Sequence, residues 1–373
     1  MKNIKKYAWY FPNWHPTPLN DKWHGKNWTE WEVLKYARPR FEGHISPRLP
    51  LWGFENEADP AVMERKIQTA HDYGIDGFIF DFYWYKDQGP YRRECLDEGF
   101  LKAKNNKLCE FSVMWCNHDA ANLHPASYLN ENIKLASGDI DAEFFYEVTD
   151  FCIKNYFTKP NYQRIDGKLY FGFWDLTRLL NNFGGIHGLS VALRDFRRRA
   201  KQAGFELHIA VNKNLIPRYG KGEKEKLNKI LRELEIDSVF SYFPNMGVCK
   251  KWPTIDYADY IESTAAEYKS ATELIDIPFD ITVSNGWDSS SRTVQTDKYE
   301  EGCGYPFNPI VVGDTPENVG KGFERARQFI ESGDFTGNML LISTWNEWTE
   351  GNNFEPDELY GYGYLEELKR VFG

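Results

Sequence analysis

The chain has 373 residues, a size at which an α/β barrel commonly forms one domain with room for long loops. Its formal charge of −10 and pI near 5.4, with no strip of Lys and Arg interleaved with aromatics, argue against a nucleic-acid partner. Aromatic residues make up 16% of it, with 13 Trp, a proportion typical of proteins that stack flat sugar faces, although a Trp-rich core would read the same way.

The N-terminus opens with Lys2, Lys5 and Lys6, but the apolar run that follows is stopped by Pro12 and Asn13. It is too short for a signal sequence or a membrane span. A cytoplasmic protein is the simplest expectation; a periplasmic or secreted one would follow if a signal peptide had preceded this chain and been removed.

From there short apolar, β-branched or aromatic runs alternate with stretches of helical periodicity. A strand at 6–11 is followed by a helix at 60–73, a strand at 77–84 by a helix at 95–103, and a strand at 110–116 by a helix at 142–155. Strands at 169–174, 207–211 and 238–243 precede helices at 189–203, 223–234 and 257–268. Strands at 280–284 and 339–345 precede helices at 316–332 and 358–371. Asp59-Pro60 and Thr315-Pro316 are helix starts with proline at the first helical position, and Gly74 and Gly204 stand where glycine ends helices. Eight βα units in strict alternation predict a single (β/α)8 TIM barrel over residues 1–373. The segment 12–57, carrying Trp14, Trp23, Trp28, Trp31 and Trp52, becomes a long first βα loop on the catalytic face, with aromatics placed to line a cleft.

Six cysteines, Cys95, Cys109, Cys116, Cys152, Cys249 and Cys303, form no CxxC pair and have no His at zinc spacing, so neither a metal nor another cofactor is expected. No GxSxG, GxGxxG or GxxxxGK[ST] motif follows a strand, which leaves serine-hydrolase and nucleotide sites unsupported.

Barrel enzymes place working groups at the C-terminal ends of strands, and nearly every predicted strand ends in a candidate. Tyr10 ends the first, Asp81 and Tyr83 the second, Trp115 and Asn117 the third, and Trp174 the fourth. Asn212, Tyr242, Asn285 and Trp287 follow at the fifth to seventh, and Asn346, Glu347, Trp348 and Glu350 at the eighth. Aromatics beside Asn, Asp and Glu suit a pyranose, offering faces to stack and partners for hydroxyls. Two carboxyls three residues apart, Glu347 and Glu350, are the natural pair for glycosidic chemistry; the alternative is that one caps a helix or pairs with an Arg on the rim. Asp81 could orient a sugar hydroxyl or a catalytic Glu, or be satisfied by Arg or backbone. Trp14, Trp28, Glu30 and Glu355 join the candidate substrate contacts, Glu30 with the alternative of a salt bridge to Arg38, Arg40 or Arg48. His118 and Asp119 could suggest a metal or an acid/base dyad, but no second His falls at ligand spacing.

Tyr10-Phe11-Pro12-Asn13-Trp14-His15-Pro16, Trp28-Thr29-Glu30-Trp31, Pro47-Arg48-Leu49-Pro50, Trp345-Asn346-Glu347-Trp348-Thr349-Glu350-Gly351 and Glu355-Pro356-Asp357 together resemble the WbsX-like proteins. That group is labelled as lipopolysaccharide-biosynthesis glycosyltransferases and is related to glycoside hydrolase family 99. The resemblance runs from the first strand to the last helix and is most specific at its two ends. It implies a (β/α)8 barrel and, from the hydrolase relatives, retaining cleavage of α-mannosidic bonds. Carried over, Glu347 would deprotonate the sugar 2-hydroxyl, which attacks the anomeric carbon, and Glu350 would be the general acid and later base. Thr349 stands where the hydrolases have a histidine. A glycoside hydrolase acting on an oligo- or polysaccharide is therefore the leading expectation. A glycosyltransferase of surface-polysaccharide synthesis and a non-catalytic carbohydrate-binding barrel are the alternatives, the former lacking an evident diphosphate site.

Overall fold

The computed structural model of the chain describes residues 4–217, 224–243 and 251–373. Its central feature is a ring of eight strands: β1 Lys5–Tyr10, β2 Gly77–Tyr85, β3 Glu110–Trp115, β4 Lys168–Phe173, β5 Leu207–Asn212, β6 Ser238–Phe240, β7 Phe279–Ser284 and β8 Met339–Ser343. Each pairs in parallel with the next, and β8 closes on β1 with Met339 opposite Lys5. The fold is the expected (β/α)8 barrel, every strand falling within a few residues of its predicted place.

Helices Pro60–Asp72, Ala142–Asn155, Ile186–Gln202, Lys224–Glu233, Tyr257–Leu274, Pro316–Glu331 and Gly363–Phe372 occupy seven of the eight slots. Position 223, the predicted start of the fourth of these, and Cys249 lie outside the described residues. Side chains cap the starts where the sequence offers them: Asp59 accepts from the Ala61 amide at 2.8 Å and Asp141 from Phe144 at 2.9 Å. The slot after β2 departs from expectation. Instead of a regular helix at 95–103, a π turn, Cys95–Gly99, runs into a 3-10 turn, Phe100–Lys102. Here the chain is pressed onto the Glu57 backbone so closely that a Cβ on Gly99 would stand 2.1 Å from the Glu57 carbonyl oxygen.

Alternation along the strands sorts their side chains into two layers. Phe78, Phe80 and Phe82 of β2, Val113 and Trp115 of β3, and Phe171 and Phe173 of β4 face the helices. Ile79, Tyr83, Met114, Tyr170, Ala210 and Phe240 fill the barrel interior. At the opposite end of the barrel from the cavity, buried Asp280 accepts from the Asn338 and Met339 amides at 2.6 and 3.2 Å.

Candidate active site

A cavity of about 530 Å³ opens at the C-terminal ends of the strands. Its polar floor comes from a hairpin after β8 in which Asn346 and Glu347 pair antiparallel with Asn353 and Asn352. Thr344 fastens this hairpin, its Oγ1 accepting from the Glu347 amide at 2.8 Å and donating to the Asn352 carbonyl at 2.6 Å. Gly351, at φ 58°, makes the turn after Glu350, and a Cβ there would meet the Asp288 Cβ at 2.7 Å. The backbone thus presents Glu347 and Glu350, both almost fully buried, to the same cavity.

Arg292 joins the two. It ends a 3-10 turn, Ser289–Arg292, capped by Asp288, whose Oδ1 accepts from the Ser290 amide at 3.0 Å. One Nη of its guanidinium donates to Glu350 and the other to Glu347. The Glu347-bound nitrogen also reaches Glu30 at 2.7 Å, and Nε reaches Glu30 at 3.0 Å and Thr349 Oγ1 at 2.9 Å. Glu30 is completely buried and also accepts from Asn13 Nδ2 at 2.7 Å and from the Thr349 hydroxyl. His124 Nε2 stands 3.3 Å from Glu30, within ion-pair reach but out of hydrogen-bond alignment.

Three carboxylates on one guanidinium cannot all remain ionised cheaply in a buried site. Burial opposes ionisation of Glu30, but Arg292 and then His124 outweigh it and hold this carboxyl well below its usual range. Burial pushes Glu347 well above the usual range, with Arg292 opposing and Glu350 and Glu30 adding to the rise. Glu350 is raised by burial too, against Arg292 and the Tyr305 hydroxyl, which donates to it at 2.6 Å. Burial thus raises both carboxyls of the Glu347–Glu350 pair beside a Glu30 that is held low. A further raised carboxyl lies on the β2 side. Burial pushes Asp81 up to about 8 against the Tyr242 hydroxyl, which donates to its Oδ2 at 2.9 Å, while Oδ1 has no protein partner.

Of the residues predicted from sequence, the cavity brings together Asp81, Tyr83, Trp174, Tyr242, Trp287, Glu347 and Glu350. The other predicted contacts do not line it. Tyr10 and Trp115 point outward: the Tyr10 hydroxyl reaches Met63 Sδ at 3.3 Å, and Trp115 packs among Phe144, Phe145 and Phe173. Trp14 and Trp348 are buried around Trp31, Trp14 with its ring centroid 4.0 Å away, and Trp28 stacks behind His24 at 4.1 Å. Among the tryptophans of the long first loop only Trp23 lines the cavity; Trp14, Trp28 and Trp31 pack among other aromatics, and Trp52 lies against Tyr362 and Arg65. The asparagines serve the backbone. Asn117 exchanges two bonds with Asp175, Asn212 caps the turn at Asn214, and Asn285 donates to the Asn353 carbonyl at 2.7 Å. Asn346 ties the end of β1 to the hairpin through the Phe11 amide and carbonyl and donates to Glu57. Glu355 is buried against Lys66 at 2.7 Å, and Glu30 pairs with Arg292 rather than with Arg38, Arg40 or Arg48. His118 and Asp119 do not form a dyad, because the His118 ring faces the Asp119 carbonyl and the Asp119 carboxylate is held by Arg178 at 2.8 Å. Among the described residues no group of three or more His, Cys, Asp or Glu side chains is arranged to hold a metal ion.

Sequence reasoning missed Arg292, Arg92, Tyr305, His24 and His124, all of which line the cavity. No motif marks them. For Arg292 a signal did exist, since two buried glutamates at a strand end demand a cation from another loop.

Residues 6–368 match the family model described as Glycosyltransferase WbsX. The chain belongs to this family. Among curated proteins, the chain is similar to the uncharacterized protein WxcX of Xanthomonas campestris pv. campestris, 26% and 25% identical in two strains over 98% of this chain. This chain spans about half of those relatives, 49% of their length. Among solved structures it is similar to the family 99 endo-alpha-mannosidase of Bacteroides thetaiotaomicron, with 15% identity, a TM-score of 0.59 and coverage of 99% of this chain and 95% of that one. A chain described as a glycoside hydrolase-like protein matches at 16% identity and a TM-score of 0.63, covering 100% and 94% respectively. These structures share with the WbsX chain the barrel on which its cavity is built. No described helix is long and apolar enough to cross a membrane.

Proposed function

We propose that this WbsX protein is a glycoside hydrolase that cleaves an oligo- or polysaccharide with retention, using Glu347 and Glu350. The observation that carries the reading is the pair itself: two cavity-facing glutamates on one hairpin, bridged by Arg292, with burial raising both carboxyls. On this reading Glu347 takes the proton of the sugar 2-hydroxyl as O2 attacks the anomeric carbon. The glycosidic bond breaks, and its oxygen leaves with the proton of Glu350. Glu350, now ionised, takes a proton from water whose oxygen opens the resulting 1,2-anhydro ring, and O2 recovers its proton from Glu347. This route needs O2 trans to the leaving group, as in α-manno and α-rhamno sugars. Neutral Asp81, with its free Oδ1, is suited to hold a sugar hydroxyl, and Trp174, Tyr242 and Trp287 to pack against the ring.

The test compares wild type with Glu350→Gln and Glu347→Gln on aryl α-mannosides, aryl α-rhamnosides and bacterial and plant polysaccharides, following released reducing ends. Loss of a positioned acid or base is expected to slow cleavage by roughly 100- to 10,000-fold. Aryl leaving groups should partly rescue Glu350→Gln, because they depart without protonation. The family's description favours a second reading, glycosyl transfer. No cleavage by wild type across the panel, together with thermal stabilisation by a nucleotide sugar alone, would establish it instead.

A further inference from the structure

Arg92 follows a short strand, Gly89–Tyr91, that pairs antiparallel with the end of β2, Tyr91 standing opposite Tyr83. It lines the cavity and is only 8% exposed. Its guanidinium lies over three rings, 4.4 Å from the Tyr91 centroid and 4.8 Å from those of Phe11 and Tyr83. Arg199 and Arg292, buried to the same degree, each have a carboxylate, Asp195 at 2.7 Å for Arg199 and the glutamates for Arg292. Arg92 has no carboxylate within 4.0 Å among the described residues, and its Nε has no hydrogen-bond partner. The residue also holds φ at 61°, a left-handed conformation that a non-glycine side chain adopts only when its surroundings impose it. Aromatic faces attract a cation but do not satisfy its N–H groups, so a buried guanidinium held this way is preorganised for an anion that arrives from outside.

We propose that Arg92 is a carboxylate-binding subsite of the cavity, and that the saccharide taken here carries an acidic sugar, a uronate or a residue with a carboxylate substituent. This rests on the reading of the cavity as a carbohydrate site. A guanidinium fork matches a carboxylate with two parallel hydrogen bonds. A single guanidinium with no carboxylate in contact balances a monoanion better than a dianionic phosphate. The stacking platform is adjacent, since Trp23, half-buried in the same wall, meets Tyr91 edge-on with centroids 5.1 Å apart. The remaining acids of the lining do not compete. Glu347 and Glu350 are engaged by Arg292, Asp119 is held by Arg178, and burial keeps Asp81 neutral to about pH 8.

Binding is measured by calorimetry on the full chain carrying Glu350→Gln, so that no ligand is consumed. The ligands are uronate trisaccharides of manno, gluco and galacto configuration, each against its methyl ester, which removes only the charge, with hexose 6-phosphates as a phosphate arm. At least one uronate is expected to bind roughly ten- to a hundred-fold more tightly than its ester, the range of a charge-assisted hydrogen-bonded pair. Adding Arg92→Gln should bring that ratio toward one, and Arg92→Lys, which keeps the charge without the fork, should retain part of it even if the Gln variant does not fold. No uronate preferred over its ester, or a preference that survives Arg92→Gln, overturns the assignment; so does tight binding confined to the phosphates. The two readings fail separately. Cleavage of neutral glycosides by a protein blind to charge leaves the hydrolase and removes the subsite, whereas charge discrimination without cleavage does the reverse.

Discussion

Replacing Arg292 with methionine removes the guanidinium that Glu30, Glu347 and Glu350 share while keeping much of the side-chain volume. Among the described residues no other cation stands within ion-pair distance of Glu347 or Glu350, and Glu30 keeps only His124. Removing one partner of a buried ion pair costs about 3–5 kcal/mol. An unfolding entropy near 2.1 cal/mol/K per residue gives about 0.8 kcal/mol/K for a chain of 373 residues, so each kcal/mol moves Tm by a little over 1 °C. Arg292→Met is therefore expected to melt about 4–6 °C below wild type at neutral pH, read by calorimetry or circular dichroism. The gap must also depend on pH. In the wild type Arg292 holds Glu30 below its ordinary value of 4.5, which contributes stability present above that value and lost as pH falls through the folded one. The variant loses this contribution, and its three carboxylates take up protons at low pH instead. The gap should thus be widest between about pH 5 and 8 and narrow only as pH falls below 4.5 toward the folded value of Glu30. An Arg292→Met protein that melts with the wild type, or whose deficit is constant or largest in acid, would refute the shared-cation account.

Asp81→Asn tests the raised carboxyl on the β2 side. Because burial raises the Asp81 carboxyl from 3.8 to about 8, the stability of its neutral form is fully present below the first value and is lost as pH rises through the second. Asparagine cannot ionise, so Tm of the variant relative to wild type should climb between about pH 4 and 8 and then level off; a flat difference would mean that Asp81 is ionised in the fold. Tyr242→Phe and Tyr10→Phe form a matched pair at two strand ends. The first removes the hydroxyl that donates to Asp81 and should lower kcat/KM by roughly ten-fold or more, the worth of a hydrogen bond to an acidic group. The second removes a hydroxyl that meets Met63, Glu57 and Cys95 outside the cavity and should leave kinetics unchanged; equal effects would show that Tyr10 also faces the substrate.

The contrast between those tyrosines shows where the sequence was legible and where it was not. Strands buried on both faces read as continuous apolar runs, so their positions stand out while their facing does not. Tyr10 and Trp115 resembled cavity residues because they lie at strand ends, yet each is one residue out of phase with the interior. A polar residue within the strand carries the missing phase. Asp81 faces inward, so Phe80 and Phe82 face out; buried Ser112 is in phase with Met114 and Cys116, which leaves Trp115 outside. In β1 the same rule misleads, because Lys6 lies on the outward side and runs its amine to the Ile4 carbonyl. The strand-end asparagines were misread for a different reason. Their amides can serve a sugar or the backbone, and at barrel ends the loops leave peptide groups that need partners first.

The glutamate pair was legible as two carboxyls in an aromatic strand end, but the groups that hold it were not. The pair's electrostatic setting depends on Glu30, brought in by the first loop, and on Arg292, brought in by the seventh, 262 positions apart in sequence. Without Glu30, Arg292 would face two carboxylates instead of three, and the Glu347 and Glu350 carboxyls would be raised less. The long first loop therefore acts on the chemistry less through its tryptophans, most of which face away from the cavity, than through a single buried charge. A Glu30→Gln protein should accordingly keep the cavity's shape yet shift the acid limb of its pH–rate profile downward, since the carboxylate that helps raise both carboxyls of the pair is gone. An acid limb that stays in place would assign the rise to burial alone and leave Glu30 a purely structural anchor for Arg292.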